Sequence, residues 1–83
     1  MEHLADGDYL VDGAMAVGDI NELLGTHLPD DDWDTLAGFV FNVLGHVPVP
    51  GDFVDHNGWR FSAEQMIGRR IGIVRISAIA PTG

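Results

Sequence analysis

The sequence predicts an α+β domain, a small antiparallel sheet with two helices packed on it. Three observations carry that expectation. Leu36, Phe39, Val40, Val43 and Leu44 fall at i, i+3, i+4, i+7 and i+8, the apolar stripe of an amphipathic helix. Ile20, Leu23 and Leu24 repeat the helical offsets within Asp19 to Leu24, and Gly25 stands where a helix stops. Asn57-Gly58 separates two extended runs, and this dipeptide is the strongest short hairpin signal because both positions favour positive φ.

In chain order, Asp6 to Met15 reads as a short strand around Tyr9-Leu10-Val11, a turn at Asp12-Gly13 and a second extended piece, at a sheet edge or corner. Asp6, Asp8 and Asp12 are read as turn formers, whose side chains accept from nearby backbone N–H groups. The first helix begins at Asp19. The second follows Pro29-Asp30-Asp31-Asp32-Trp33-Asp34, with Asp34 or an aspartate just before it as the cap, Gly45 as the stop and Pro48 beyond. Phe41 lies off its main stripe, and Gly38 permits the close approach of a neighbouring backbone.

The remainder reads as strands over Asp52 to His56, Trp59 to Met66 and Arg70 to Ile79. The second tight turn is centred on either Ile67-Gly68 or Gly68-Arg69. These choices differ by two in register and so keep the faces. One face carries Val54, Trp59, Phe61, Ala63, Val74 and Ile76, a core face. The other carries Phe53, Asp55, Arg60, Glu64, Met66, Ile71, Ile73 and Arg75, with Asp55 opposite Arg60 as a cross-strand charge pair and Glu64 near Arg75. Its apolar members, with Phe41, exceed what a small monomer needs to expose.

Composition narrows the function. Thirteen acids against four bases give a net charge of −9, which repels a nucleic-acid backbone. Residues 1–55 hold twelve of the thirteen acids, and all four bases, Arg60, Arg69, Arg70 and Arg75, follow them. Without cysteine there is no disulfide, thiolate metal site or cysteine nucleophile. No run approaches the length of a transmembrane helix, and the acidic start lacks the pattern of a signal peptide, so direct membrane insertion is not expected. The chain is long enough for one small domain and too short for a large enclosed active site. Ser62 and Ser77 sit in strands, outside any nucleophile elbow, and no phosphate-binding loop is present.

The order of "DGDYLVDG" (Asp6 to Gly13), "DINELLG" (Asp19 to Gly25), "LPDDDWDTLAGFVFNVLGHVPVPGD" (Leu28 to Asp52), "GWRF" (Gly58 to Phe61) and "GRRIGIVRI" (Gly68 to Ile76) resembles the CorC/HlyC transporter-associated domain over nearly the whole chain. No one of these motifs is specific; their order and spacing carry the likeness. The resemblance implies a fold similar to the FAD-binding PCMH-like domains. It also implies an origin at the C-terminus of a longer membrane protein with a transmembrane region and a pair of CBS domains. Residues 1–83 would then be one domain excised from that protein, on the cytoplasmic side of the membrane. Its implied role is non-catalytic: modulation of magnesium or cobalt transport by docking on the CBS domains or transmembrane region, or by homodimerisation. Two departures from the family pattern stand out. Ile67 precedes Gly68 where the family has Asp or Asn, which argues for a shifted turn, and His46 replaces a basic residue, which would make a partner contact pH-dependent.

Two sets of site residues follow. For docking, Phe41, Phe53, Met66, Ile71 and Ile73 form the apolar surface, with Arg60 and Arg75 at the rim. For a weak Mg²⁺ or Ca²⁺ site, the candidates are Asp30, Asp31, Asp32 and Asp34. Asp30, Asp32 and Asp34 match the first three ligand positions of an EF-hand, but its glycine position falls on Thr35 and its bidentate glutamate on Phe41. Helix capping is the plainer role for these carboxylates. No tightly bound cofactor is expected. The alternative to docking is a ligand-sensing domain that binds the cation at these carboxylates or an adenine or flavin nucleotide, with FAD entering only by fold analogy. The four histidines have no metal-binding spacing.

Overall fold

The computed structural model describes residues 2–29 and 34–79. In these residues five strands form one antiparallel sheet in the order β1-β2-β5-β4-β3: β1 (Glu2–His3), β2 (Tyr9–Asp12), β3 (Phe53–His56), β4 (Trp59–Ile67) and β5 (Arg70–Ala78). Two helices, α1 (Val17–Leu24) and α2 (Leu36–Leu44), intervene between β2 and β3. α2 packs on β5 and β3, and α1 packs on α2. The core holds the predicted Phe61, Val74, Ile76 and Val54 from the sheet and Ile20, Leu36, Phe39 and Val40 from the helices, joined by Val11 and Val17, while Val43 of the predicted stripe is exposed. Phe39 and Phe61 meet edge to face with centroids 5.9 Å apart, the preferred geometry for two ring quadrupoles.

Both predicted helix stops hold. Gly25 and Gly45 take left-handed φ values of 68° and 75°, and their N–H groups close on Asn21 and Phe41 carbonyls. α1 starts at Val17, one turn-half earlier than the Asp19 start read from the pattern. The second extended piece is reduced to a single bridge between Ala16 and Thr35. β2 is not at an edge, because the two-residue β1 pairs along its outer side.

The Asn57-Gly58 turn has positive φ at both residues, 52° and 81°, and pairs Asp55 with Arg60 as expected. The second hairpin turns on Gly68-Arg69, with Gly68 at φ 62° and Ile67 left in the strand opposite Arg70. β-Branched Ile67 thereby avoids the left-handed region, which resolves the register left open by the sequence.

The face assignment fails near this turn. Ala63 pairs with Val74 and Gln65 with Ile73, so Glu64 is an extra residue on β4; Met66 then pairs with Ile71, so Gly72 is extra on β5. Each bulge shifts the side-chain alternation by one. Met66 and Ile71 therefore turn from the open face to the helical face. Ile71 is 3% exposed and belongs to the core, and Met66 packs against it. Neither stands on the open face with Phe53, where strict alternation places them.

Candidate functional site

The predicted site residues separate into three places. Phe53, Arg60 and Arg75 lie on the open face of the sheet. Met66 packs inward, and Ile71 is buried in the core. Phe41 and Ile73 border a groove of 540 Å³ at the end of the domain where the β2–α1 turn, the start of α2 and the β4–β5 hairpin converge, and Ile71 also lines it.

On the open face the charges are tied down. Arg60 donates from Nε and Nη2 to the two carboxylate oxygens of Asp55, at 2.8 and 3.2 Å, and its guanidinium lies 4.0 Å over the Phe53 ring. The expected ion pair of Arg75 with Glu64 is present but long, at 3.9 Å. Arg75 has two shorter ones, with Asp8 at 2.7 Å and Asp6 at 2.8 Å. The Arg75 hydrogen bond holds the Asp8 carboxyl below its ordinary range against the opposing effect of burial, and the Ser77 hydroxyl assists. The Asp55 carboxyl is lowered in the same way by Arg60, and both guanidinium groups are raised in turn. Asp6 and Asp12 also form the predicted turns, accepting from the N–H groups of Asp8 and Ala14. Asp8 instead serves as the Arg75 acceptor.

Asp34 does not cap α2. Thr35 is the N-cap, its Oγ1 accepting from Gly38 N–H at 3.1 Å, while Asp34 is exposed and offers its backbone carbonyl to Val17 N–H. The other N–H groups at this helix start are also engaged: Leu36 donates to the Met15 carbonyl, Ala37 to Gly13 and Phe39 to Thr35. Asp30, Asp31 and Asp32 lie outside the described residues. Among the described residues no three His, Asp or Glu side chains converge as a metal site would require. The histidines are dispersed: His3 stacks on Tyr9, His56 meets Phe39 edge-on, and His46 Nε2 lies 3.1 Å from Asp52. Asp52 is held below the ordinary carboxylate range first by the Val49 N–H and then by His46.

The groove owes its shape to small residues. Gly13 donates to the Gly72 carbonyl at 2.8 Å and accepts from Ala37 at 2.9 Å, and a Cβ on Gly13 would collide with the Ile71 carbonyl oxygen. This is the close backbone approach; Gly38, where the sequence placed one, has only its own cap Thr35 nearby and opens into the groove. Phe41 from α2 and Ile67 from the hairpin, 37% and 53% exposed, stand over it, and Arg70 lies on its wall. The sequence marks Arg70, with Arg69, as able to meet a phosphate or an acidic partner, but does not mark Gly13 or Ile67 as site residues. The one available signal was Gly72, since an isolated glycine in a strand marks a bulge. A second depression of 690 Å³, beside β1, is lined by Glu2, Asp12 and Glu64 with Leu10 and Ile73.

The family model of the CorC_HlyC transporter associated domain matches residues 2–80. The chain belongs to this family. The transporter associated domain from a Xylella fastidiosa Temecula1 hemolysin, in complex with Mg²⁺ and Mn²⁺, superimposes with a TM-score of 0.88 at 29% identity, covering 96% of this chain and 98% of that one. A hemolysin domain from Enterococcus faecalis V583 gives 0.84 at 33% identity, covering 93% and 94%. Hemolysin C of Brachyspira hyodysenteriae is 36% identical over 89% of this chain, and the magnesium and cobalt efflux protein CorC of Escherichia coli K12 is 38% identical over 68%. This transporter associated domain spans 28% and 19% of those two relatives' own lengths. The fold is therefore the predicted α+β arrangement of the family. No helix among the described residues is long and apolar enough to cross a membrane.

Proposed function

We propose that the domain is a non-catalytic regulatory module of a CorC-type magnesium and cobalt transport protein. It sits on the cytoplasmic side and adjusts transport by docking on the CBS domains or on a second copy of itself. The observation that carries this reading is the groove, whose bordering side chains Phe41 and Ile67 are exposed beside a buried core. The relatives' length supports it, since a module spanning a fifth of an efflux protein has neighbours to act on. The test is ion flux from vesicles holding the full transport protein. Phe41→Ala with Ile67→Ala changes the flux and weakens association with the CBS domains; both quantities unchanged would refute the reading.

A second reading, cation sensing, is favoured by the Mg²⁺ and Mn²⁺ complex of the Xylella domain. Here Asp30, Asp31, Asp32 and Asp34 with waters would supply oxygen ligands. Amide spectra recorded during Mg²⁺ titration, with Na⁺ at matched ionic strength, show saturable shifts confined to Asp30 through Leu36 if this holds. Diffuse shifts equal to the control's dispose of it.

A further inference from the structure

The domain commits two of its four arginines internally. Arg60 is held by Asp55 and stacked on Phe53, and Arg75 is shared by Asp6 and Asp8. Arg69 and Arg70 have no ion pair among the described residues, and both stand at the β4–β5 hairpin turn, Arg70 on the wall of the groove. In a chain of net charge −9, the uncommitted positive charge is thus gathered at one end of one groove. The start of α2 offers a ligand no free donor, because Leu36, Ala37, Gly38 and Phe39 N–H are already bonded. An anion in the groove is met by guanidinium groups, which suit carboxylates through paired N–H donors. Most of the remaining wall is apolar, with Phe41, Ile67 and Ile73 around the side-chain-free Gly38, and Thr35 and Gln65 add uncharged polar groups. Asp12, which pairs with Ile73 on β5, borders the groove on the side shared with the acidic depression.

We infer that the groove takes an acidic polypeptide segment bearing one bulky apolar side chain. That side chain seats against Phe41 and Ile67 over Gly38, and its neighbouring carboxylates pair with Arg70 and Arg69, away from Asp12. The inference rests on the docking reading above and adds the chemistry of the partner. A basic segment would face the guanidinium groups. A nucleic acid or an anionic membrane is an extended polyanion and would also meet the twelve acids of residues 1–55, whereas a short acidic segment need engage only the Arg69–Arg70 end of the groove.

The test uses the whole 83-residue chain and amide spectra. The probe is the capped peptide Glu-Asp-Leu-Phe-Asp-Glu, with Lys-Arg-Leu-Phe-Arg-Lys and Glu-Asp-Ser-Gly-Asp-Glu as comparators. Saturable shifts at Gly13, Gly38, Phe41, Arg70 and Gly72 are expected with the first peptide alone. Arg69→Glu with Arg70→Glu, both exposed, weakens binding by about tenfold or more and leaves the urea midpoint unchanged. The inference is overturned by no saturation up to about 10 mM peptide, beyond the millimolar range of weak sites. Equal binding of the basic peptide, shifts mapping to the open sheet face, or undiminished binding by the double variant overturn it too. Self-association that the double variant abolishes, with no peptide binding, would make the occupant a second copy and overturn the partner assigned here. Peptide binding as expected, with transport indifferent to the groove variants, would refute the regulatory reading and leave the groove's chemistry standing.

Discussion

Gly13→Ala should be the most damaging single-methyl change in the groove. The new Cβ meets the Ile71 carbonyl oxygen inside contact distance and the Ala37 Cβ at 3.0 Å, and neither is the flexible end of a side chain. Relief requires Gly13 to move away from β5 and α2. That motion stretches its N–H bond to Gly72, at 2.8 Å, and its carbonyl bond from Ala37, at 2.9 Å. Two hydrogen bonds at about 1 kcal/mol each and an overpacking cost of about 1–3 kcal/mol oppose folding. The reduced freedom of the unfolded chain returns about 0.4–1 kcal/mol, leaving a net loss of about 2–5 kcal/mol. A domain of this size holds roughly 4–12 kcal/mol in total at the usual per-residue stability, so much of the margin would go. Gly18→Ala is the internal control. It lies in α1 with nothing within 4 Å of the added carbon, and should gain about 0.5–1 kcal/mol from helix propensity. Urea unfolding at neutral pH measures both, and thermal midpoints should separate from the parent by roughly 10–25 °C downward for Gly13→Ala. A Gly13→Ala protein within about 0.5 kcal/mol of the parent, or a Gly18→Ala protein equally damaged, would refute the close-contact argument.

Three further outcomes can be checked on the same protein. Thr35→Ala removes the α2 cap and should cost about 1 kcal/mol in urea unfolding, while Asp34→Asn should stay within about 0.5 kcal/mol; the reverse order would restore the aspartate as the cap. Asn21 accepts from Thr26 Oγ1 and Leu28 N–H and donates to the Leu28 carbonyl, so Asn21→Ala strands the loop after α1 and should cost about 1–3 kcal/mol, with hydrogen exchange quickest at Thr26 and Leu28. Asp8, Asp52 and Asp55 have folded carboxyls below the ordinary range, so the folded state binds fewer protons than the unfolded chain. Their contribution is present above the ordinary aspartate value of about 3.9 and is lost as pH falls through the lower folded values. The urea midpoint should therefore drop below about pH 4, more shallowly in Arg75→Gln; a midpoint still rising at pH 2 would show that relief of the −9 charge outweighs these bonds.

How much was legible depended on the range of the signal. Helix stops at Gly25 and Gly45, the Asn57-Gly58 turn and the Asp55–Arg60 pair are each set by residues a few positions apart, and each stands where the sequence placed it. The α2 cap was misread because four aspartates drew attention from Thr35, whose short side chain alone sits at the position that reaches Gly38 N–H. Met66 and Ile71 fall on the other face from the one predicted because strict alternation does not run through Glu64 and Gly72. One extra residue on each of two facing strands cancels in register yet reverses the faces between the bulges and the turn, which buried Ile71.

The kinds of element and most of the core can be read from the chain alone, because periodicity, caps and turn chemistry act within a few residues and survive without the rest of the chain. The family resemblance rests on the order of the motifs. Only the tertiary structure decided which residues face outward near the second hairpin and which acids hold Arg75, whose partners Asp8 and Asp6 are 67 and 69 residues away. It alone made the groove, which needs the β2–α1 turn, α2 and the hairpin closed on one another at Gly13. Such contacts are fixed by the closure of the whole sheet on its helices, and no local pattern of side chains encodes where three distant backbones will meet.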